Sequence, residues 1–294
     1  MNIPLTPLVD YAGLENHQAF FYHWIIERER ARVGRESGFP APWTHDPIIQ
    51  QYRFCNVRRE DDKVTKWIKR NWRDPYDTHP NMVTAMVIAR LFNRESTLQL
   101  IGFPECEVHS FEGYIHAIRL ALKEARAKGA KIWTGAYLVS TNGHSMDKID
   151  YILDRVVKPI HDSKAFMDSL PWESLYHFHN ELTRFDGMGS FMAGQVVADL
   201  KHTSVLANAS DWMTWAPIGP GSRRGLNRYF ARPLEASIKT DRVQEELLVL
   251  QCAIRQRTGI ELPVHDVQNC LCEFDKHSRV RLGEGKPRSG YPGK

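Results

Sequence analysis

The chain has 294 residues, 42% hydrophobic and 25% charged, which is enough for a large core in one domain or two packed lobes. Its formal net charge of +4 permits a nucleic-acid partner without requiring one. Five scattered cysteines exclude a disulfide framework, and no apolar run reaches the roughly 18 residues of a membrane span. These features predict a protein of a reducing cytoplasm that does not contact a membrane.

Helical periodicity runs through most of the chain, whereas the best strand candidate, 132–138, fits a helix equally well. The periodic segments are, in order, 19–33, 64–72, 80–92, 112–128, 145–160, 165–170, 172–185, 242–258 and 264–274. Thr44 is expected to cap the helix whose first turn contains Pro47. The sequence predicts an all-α or nearly all-α fold. We expect one large helical domain, either undivided or built from two packed lobes, one of about residues 15–75 with 260–285 and one of residues 76–259.

The segment RFDGMGSFMAGQVVADL, residues 184–200, predicts two helices joined by a tight turn at Gly187 and Gly189. The backbone N–H groups of such a turn can hold a phosphate without using side chains. Contacts of this kind position a DNA duplex but do not read its sequence. An acid, Asp211, follows in NASDWMTW. The pairing of this acid with a phosphate-binding turn indicates chemistry on a nucleotide.

The segments PWTHD (42–46) and YRFCNVRREDD (52–62) place charged and amide side chains beside aromatic rings. The residues suited to a phosphate or a base edge are Arg53, Asn56, Arg58 and Arg59. A buried polar network that holds the N-terminal part of the chain together explains the same composition equally well.

Two further segments carry polar residues in patterns that suit a ligand. GPGSRRGLN (219–227) is predicted to be a Gly-rich loop whose arginines suit a pyrophosphate; a flexible surface loop is the alternative. In DVQNCLCEFDK (266–276), Asp266, Asn269 and Glu273 share one helical face. That face either completes a pocket or forms internal salt bridges and caps.

Several enzyme classes lack their motifs in this sequence. No Gly-x-x-x-x-Gly-Lys-Ser/Thr loop and no Gly-x-Ser-x-Gly elbow occurs among the 294 residues. His177 and His179 lie two positions apart on a predicted helix, so their side chains diverge and are not expected to share a metal.

Three of these segments together resemble a known family, over about Phe20 to Arg281. They are PWTHDPIIQQYRFCNVRREDD, the turn with its downstream acid and GPGSRRGLN, and DVQNCLCEFDKHSR. They look like the helical proteins of phage thymidine hypermodification: the α-glutamyl/putrescinyl-thymine pyrophosphorylase-like group and the helical domain attached to 5-hydroxymethyluracil DNA kinases. The family is similar in fold to helix-hairpin-helix DNA glycosylases, and Asp211 falls where those enzymes keep their catalytic aspartate. The lysine of lyase-type glycosylases is absent, because Ser190 and Phe191 follow Gly189.

The resemblance implies an amino acid or polyamine:DNA transferase in the host cytoplasm. Its substrates are double-stranded DNA carrying 5-(pyrophosphoryloxymethyl)uracil and a small amine such as glycine, glutamate or putrescine. The target base is expected to flip out of the duplex. A Mg²⁺ ion on the pyrophosphate is compatible with this chemistry, but no metal ligands are assigned. The alternatives are a DNA glycosylase for a modified base and a non-catalytic DNA-binding module.

The predicted roles are as follows. The predicted catalytic residues are Asp211, Asp46 and Arg58. The residues predicted to bind substrate or DNA are Trp43, Thr44, Arg53, Asn56, Arg59, Gly187, Gly189, Gly221, Arg223, Arg224, Asn227, Asp266, Asn269, Glu273 and Lys276. Asp211 is expected to accept or orient the amine proton, and the arginines to stabilise the departing pyrophosphate.

Overall fold

A computed structural model describes residues 17–106, 110–134, 139–164 and 172–287, and in these ranges its regular structure is helical, without a strand. The helices are α1 (His17–Glu36), α2 (Pro47–Gln51), α3 (Lys63–Ile68), α4 (Met82–Phe92), α5 (Glu95–Ile101), α6 (Phe111–Ala127), α7 (Lys148–Asp150), α8 (Lys158–Asp162), α9 (Leu175–Leu182), α10 (Ser190–Leu200), α11 (Pro220–Tyr229), α12 (Thr240–Thr258) and α13 (Val264–Arg281). A π-helical stretch, Lys69–Arg73, extends α3, and another, Tyr151–Val157, joins α7 to α8. The predicted all-α class is confirmed. None of the helices in these ranges is both long and apolar enough to cross a bilayer.

Two local predictions need correction. Residues 220–229 form helix α11 rather than a loop, with Pro220 in its first turn. Asp46, not Thr44, caps α2: its carboxylate accepts hydrogen bonds from the backbone N–H groups of Ile48 and Ile49. Helix α5 was not predicted. The predicted helix 165–170 and most of the strand candidate 132–138 lie outside the described residues.

The chain divides into two compact units. The first unit combines residues up to Arg59 with those from Ile218 onward, and so contains α1, α2, α11, α12 and α13. The second unit, Glu60–Pro217, contains α3 to α10. Residues 220–258, which the predicted lobe boundaries place in the second of two lobes, therefore belong with the first unit.

Helix α13 is the centre of the first unit, because it packs against α1, α2, α11 and α12. Its approach to α11 is unusually close. A Cβ atom on Gly225 would lie 2.0 Å from the carbonyl oxygen of Leu271, and one on Gly221 would lie 2.7 Å from Cys272 Sγ. These glycines therefore allow helix packing, because any larger side chain would push α11 away from α13.

Helix α4 is the buried helix of the second unit and packs against α10. Between them, Arg90 Nη2 donates to Asp199 Oδ1 at 2.6 Å, and both side chains are buried. Thr65 and Asn93 accept further hydrogen bonds from the same guanidinium group at 3.0 and 3.1 Å. A buried ion pair needs such additional partners to offset its desolvation.

The close contact between α11 and α13 predicts that Gly225 cannot be replaced by alanine without a loss of stability, unlike an exposed helical glycine. Gly225→Ala should lower the free energy of unfolding by about 3 kcal/mol, because a backbone carbonyl cannot rotate away from the new methyl group. Gly113→Ala, on the exposed side of α6 with no atom within 4 Å of the new methyl group, should raise it by about 0.5–1 kcal/mol. Urea denaturation of both variants measures the difference, and equal midpoints would contradict the packing assigned to Gly225.

Candidate functional site

Residues 53–59, which lead into a 3₁₀ turn that begins at Arg59, lie along the polar face of α13. Backbone atoms of every second residue meet a side chain of the helix. The contacts are Lys276 Nζ to Arg53 O (2.5 Å), Cys55 N to Glu273 Oε2 (3.1 Å), Cys270 Sγ to Val57 O (3.7 Å) and Arg59 N to Asp266 Oδ1 (3.0 Å). The predicted shared face of Asp266 and Glu273 therefore anchors a neighbouring segment.

A pocket of about 360 Å³ opens beside this segment, within the size range of small-molecule sites. Helix α1 lines it with Arg28, Arg32 and Arg35, whose spacing places them on one helical face. The opposite walls carry the side chains of Trp43, Thr44, Gln50, Tyr52, Phe54, Cys55 and Asn56. No acidic residue is among the lining residues, all of which lie within residues 28–56. Aromatic rings together with cations and no acid suit an aromatic ligand that carries negative charge.

The three arginines differ in how strongly the protein engages them. Arg28 is 4% exposed, donates to the carbonyl oxygen of Cys55 and lies over the Trp24 ring. Arg32 pairs with Glu29 and Glu36, each at 2.6 Å. The hydrogen bond of the exposed Arg35 is a long one, 3.4 Å to Asn56 Oδ1. Arg35 is therefore the arginine that a ligand anion can engage at the lowest cost in existing interactions.

Asp46 and His277 form a buried pair behind the pocket. His277 Nε2 lies 2.7 Å from Asp46 Oδ2, and the two residues are 1% and 2% exposed respectively. The rings of Phe20, Trp24 and Phe54 surround the imidazole. Burial alone would raise the pKa of Asp46, but His277 and two backbone N–H groups outweigh it, so the pKa lies below its ordinary value. Asp46, predicted to be catalytic, thus holds α2 and α13 together.

Of the other predicted residues in the first unit, several have structural partners. Arg58 pairs with Glu29 at 3.1 Å and Arg223 with Glu235 at 3.4 Å. Arg224 Nε lies 3.0 Å from Asp275 Oδ2. Asn227 is fully buried and donates to the carbonyl oxygens of Leu234 and Ala236, while Asn269 is half-buried on α13. These contacts favour the alternative of internal salt bridges for this part of the chain.

In the second unit, α9 and α10 pack against each other and are joined by the predicted tight turn. Gly187 has a φ of 72°, and a Cβ atom there would lie 2.7 Å from Val156, so the turn requires glycine. Gly189 precedes the first residue of α10. A cavity of about 360 Å³ beside the turn is lined by Val139, Ser140, Asn142, Gly187, Gly189, Ser190, Phe191 and Met192.

Asp211 caps the N-terminus of α9 instead of lining this cavity. Its carboxylate accepts hydrogen bonds from Ser174 Oγ at 2.8 Å and from the backbone N–H groups of Leu175 and Tyr176 at 2.6 and 3.1 Å. The turn follows the opposite end of α9, roughly 12 Å away at about 1.5 Å per residue. One phosphate therefore cannot contact both the turn and Asp211.

Reasoning from the sequence missed three arginines that line the pocket. Arg28, Arg32 and Arg35 belong to the charged side of a predicted amphipathic helix, which is usually a solvated face. Their spacing of four and three residues places them on one face of the helix, and this was the sequence signal that could have identified them. Among the described residues, no group of three or more His, Cys, Asp and Glu is placed to hold a metal ion.

Comparison with known proteins identifies the family. A family model described as "5-hmdU DNA kinase, helical domain" matches residues 15–287, so the chain belongs to that family. The "5-hmdU DNA kinase" of Bacillus phage SP10 is 28% identical over 232 residues, which are 70% of this chain and 35% of that protein. The chain thus spans about a third of the length of this curated relative. No solved structure matches the chain. The resemblance to phage thymidine-modification proteins is confirmed at this level, and membership of the amine-transferring group stays a prediction.

The lowered pKa of Asp46 predicts how the stability of the first unit depends on pH. A carboxyl group with a depressed pKa in the folded state stabilises the protein above its unfolded pKa of about 3.9, and this stabilisation is lost as the pH falls through the folded pKa. Asp46→Asn should therefore cost about 3 kcal/mol at pH 7, because it breaks a buried pair, and less at pH 3. Urea denaturation at both pH values tests this, and a cost that does not change with pH would contradict it.

Proposed function

We propose that this member of the 5-hmdU DNA kinase helical-domain family replaces the pyrophosphate of 5-(pyrophosphoryloxymethyl)uracil in DNA with an amine. The amine is an amino acid such as glycine or glutamate, or a polyamine such as putrescine. The observation that carries the proposal is the pocket of the first unit, where arginines and aromatic rings line one cavity without an acid. A pyrimidine that carries a pyrophosphate combines the two chemistries that these walls recognise.

The aromatic walls suit the base. Trp43 is half-buried in the pocket wall, with its indole N–H bonded to the carbonyl oxygen of Phe39 at 2.6 Å, which fixes the orientation of the ring. Stacking on an aromatic ring contributes about 1–3 kcal/mol per base. That gain is comparable to the few kcal/mol that flipping a base out of a duplex costs.

The arginines suit the leaving group. Breaking the bond between the methylene carbon and the pyrophosphate oxygen places the electron pair on the departing anion, and fixed cations stabilise that charge. Arg35 is exposed and lines the pocket, and Arg32 precedes it by about one helical turn. Guanidinium groups bind phosphate oxygens through two parallel N–H donors, which also orients the leaving group.

The turn of the second unit suits the DNA backbone. The first residues of α10 leave their N–H groups without partners inside the helix, and the dipole of the helix attracts a phosphate there. Phe191, in the first turn of α10, is 49% exposed. We assign this surface to sequence-independent contact with the duplex.

A second candidate function is a DNA-binding module without catalysis. The chain corresponds to only 35% of its curated phage relative and contains no P-loop, as expected of an accessory part of a larger enzyme. Under this alternative, the pocket arginines contribute to DNA affinity and its salt dependence, but no product forms.

A direct assay separates these functions. The protein is incubated with DNA containing 5-(pyrophosphoryloxymethyl)uracil and a mixture of glycine, glutamate and putrescine, and the DNA is then digested to nucleosides for mass spectrometry. The transferase predicts an amino-substituted thymidine and free pyrophosphate. A free base with abasic DNA would instead identify a glycosylase, and DNA binding without any product would identify the binding module.

Arg35→Gln should reduce kcat/KM for the pyrophosphorylated DNA by about 10²-fold, because one charge-assisted contact to the leaving group contributes roughly 3 kcal/mol. Arg255→Gln on α12 is the matched control, since it removes an exposed arginine that lies outside the pocket. Both rates are measured in the nucleoside assay. Equal losses in the two variants would show that Arg35 contributes only general positive charge.

Asp211→Asn distinguishes a capping role from the predicted proton transfer. A capping aspartate is partly replaced by asparagine, so the free energy of unfolding should fall by about 1 kcal/mol or less and turnover should stay within about twofold of the wild type. A loss of turnover of 10²-fold or more in a folded Asp211→Asn variant would instead support the predicted catalytic role.

A further inference from the structure

The pocket of the first unit has two chemically different ends. At one end, Arg35 lies beside Asn56. At the other, Thr44 Oγ1 donates a hydrogen bond to Glu27 Oε2 at 3.0 Å. Glu27 and Arg35 are roughly 12 Å apart along α1, at about 1.5 Å per residue. The exposed Arg35 therefore marks one end of the pocket, and hydrogen-bond acceptors together with the buried Arg28 mark the other.

Thr44 has capacity for one more donor. A hydroxyl group has one proton and two acceptor lone pairs. The proton goes to Glu27, and the backbone N–H of Asp46 occupies one lone pair at 3.1 Å. The second lone pair remains for a donor in the pocket that Thr44 lines.

Gln50 adds a second acceptor at this end. Its side-chain nitrogen donates to the carbonyl oxygen of Thr44 at 2.7 Å, which fixes the amide and leaves the oxygen of Gln50 as an acceptor. Gln50 also lines the pocket. Two acceptors backed by a carboxylate match a group that carries several N–H donors, and a primary amine or its ammonium form is such a group.

We propose that the Thr44–Gln50 end of the pocket binds the attacking amine, and that Glu27 takes up the amine proton through the Thr44 hydroxyl group. This inference rests on the proposed transferase function and assigns its nucleophile site. Thr44 contacts the nucleophile, whereas Glu27 acts through Thr44 and positions its proton.

The step is balanced in atoms and charge. The amine lone pair forms the C–N bond to the methylene carbon as the C–O bond breaks, and the pyrophosphate leaves with the bonding electrons. The positively charged nitrogen then passes a proton to Thr44 Oγ1, while the Thr44 proton moves to Glu27 Oε2. General-base assistance of this kind contributes about 10²–10⁴-fold.

Burial of Thr44 and Glu27 limits the ways in which the amine proton can reach Glu27. Thr44 is 5% exposed and the Glu27 side chain is 12% exposed, so bulk water has little access to either group. Arg30 Nη1 pairs with the other oxygen of Glu27, Oε1, at 3.1 Å. The hydroxyl group of Thr44 is therefore the contact through which Glu27 meets the pocket.

Amine binding is tested without turnover. Saturation-transfer NMR with putrescine and with glycine, in the presence of inorganic pyrophosphate, should show binding to the wild type and to Thr44→Ser. Thr44→Val should lose at least tenfold in affinity for the amine and keep its affinity for pyrophosphate. Equal amine affinity of Thr44→Val and the wild type, or no amine binding to a folded wild type, would overturn the proposal.

The proton route is tested by kinetics. Glu27→Gln keeps an acceptor for Thr44 and should lose about 10²-fold in kcat at an unchanged KM for DNA. Its rate, unlike that of the wild type, should rise with the concentration of imidazole, an effect that a structural role does not produce. Glu245→Gln on α12 is the control and should match the wild type. Wild-type kcat in Glu27→Gln would overturn the route, whereas a wild type that binds amine but forms no product would overturn the transferase function instead.

Discussion

The segment 53–59 depends on helix α13 for hydrogen bonds to its backbone, and the pocket depends on that segment. A segment without regular hydrogen bonding of its own leaves backbone groups that need partners. Here α13 supplies side chains at helical spacing, 266, 270, 273 and 276, to backbone atoms at every second residue of the segment. Tyr52, Phe54, Cys55 and Asn56, in or next to this segment, line the pocket. The polar face of α13 thus holds one wall of the pocket in place, although the residues that line the pocket, all within 28–56, do not belong to α13.

The position of α13 is in turn fixed from its opposite side. Gly221 and Gly225 let α11 approach its backbone, and Asp275 accepts hydrogen bonds from Arg224 and Arg228 at 3.0 and 2.9 Å. Asp275 is 1% exposed, so these pairs are shielded from solvent and hold the register of the two helices. Residues whose composition suggested a pyrophosphate loop therefore support the pocket from a distance, by holding the helix against which its wall is formed.

Periodicity in the sequence was sufficient for the long helices but not for the roles of the polar residues. Helix α11 was missed because each glycine costs about 1 kcal/mol in a helix, and packing against α13 outweighs that local preference. The face of Asp266 and Glu273 was predicted correctly, yet the same carboxylates suit a ligand or a neighbouring backbone, and only the fold decides between them. The pairing of Asp46 with His277 joins residues far apart in the chain and leaves no local pattern. Trp43, Thr44 and Asn56, which the sequence predicts to bind substrate, line the pocket. The arginines of α1 that also line it were not predicted, because their pattern in the sequence is that of a solvent-exposed helix face.

The separation between the two ends of the pocket reconciles two demands of the proposed reaction. A departing pyrophosphate needs cations nearby, whereas an attacking amine needs hydrogen-bond acceptors and a base. Helix α1 meets both demands with one element, because its rise of about 1.5 Å per residue places Glu27 and Arg35 roughly 12 Å apart. Arg32 lies between them and pairs with Glu29 and Glu36. The positive charge exposed in the pocket is thereby concentrated at the Arg35 end, away from the Thr44 hydroxyl group that would receive the proton.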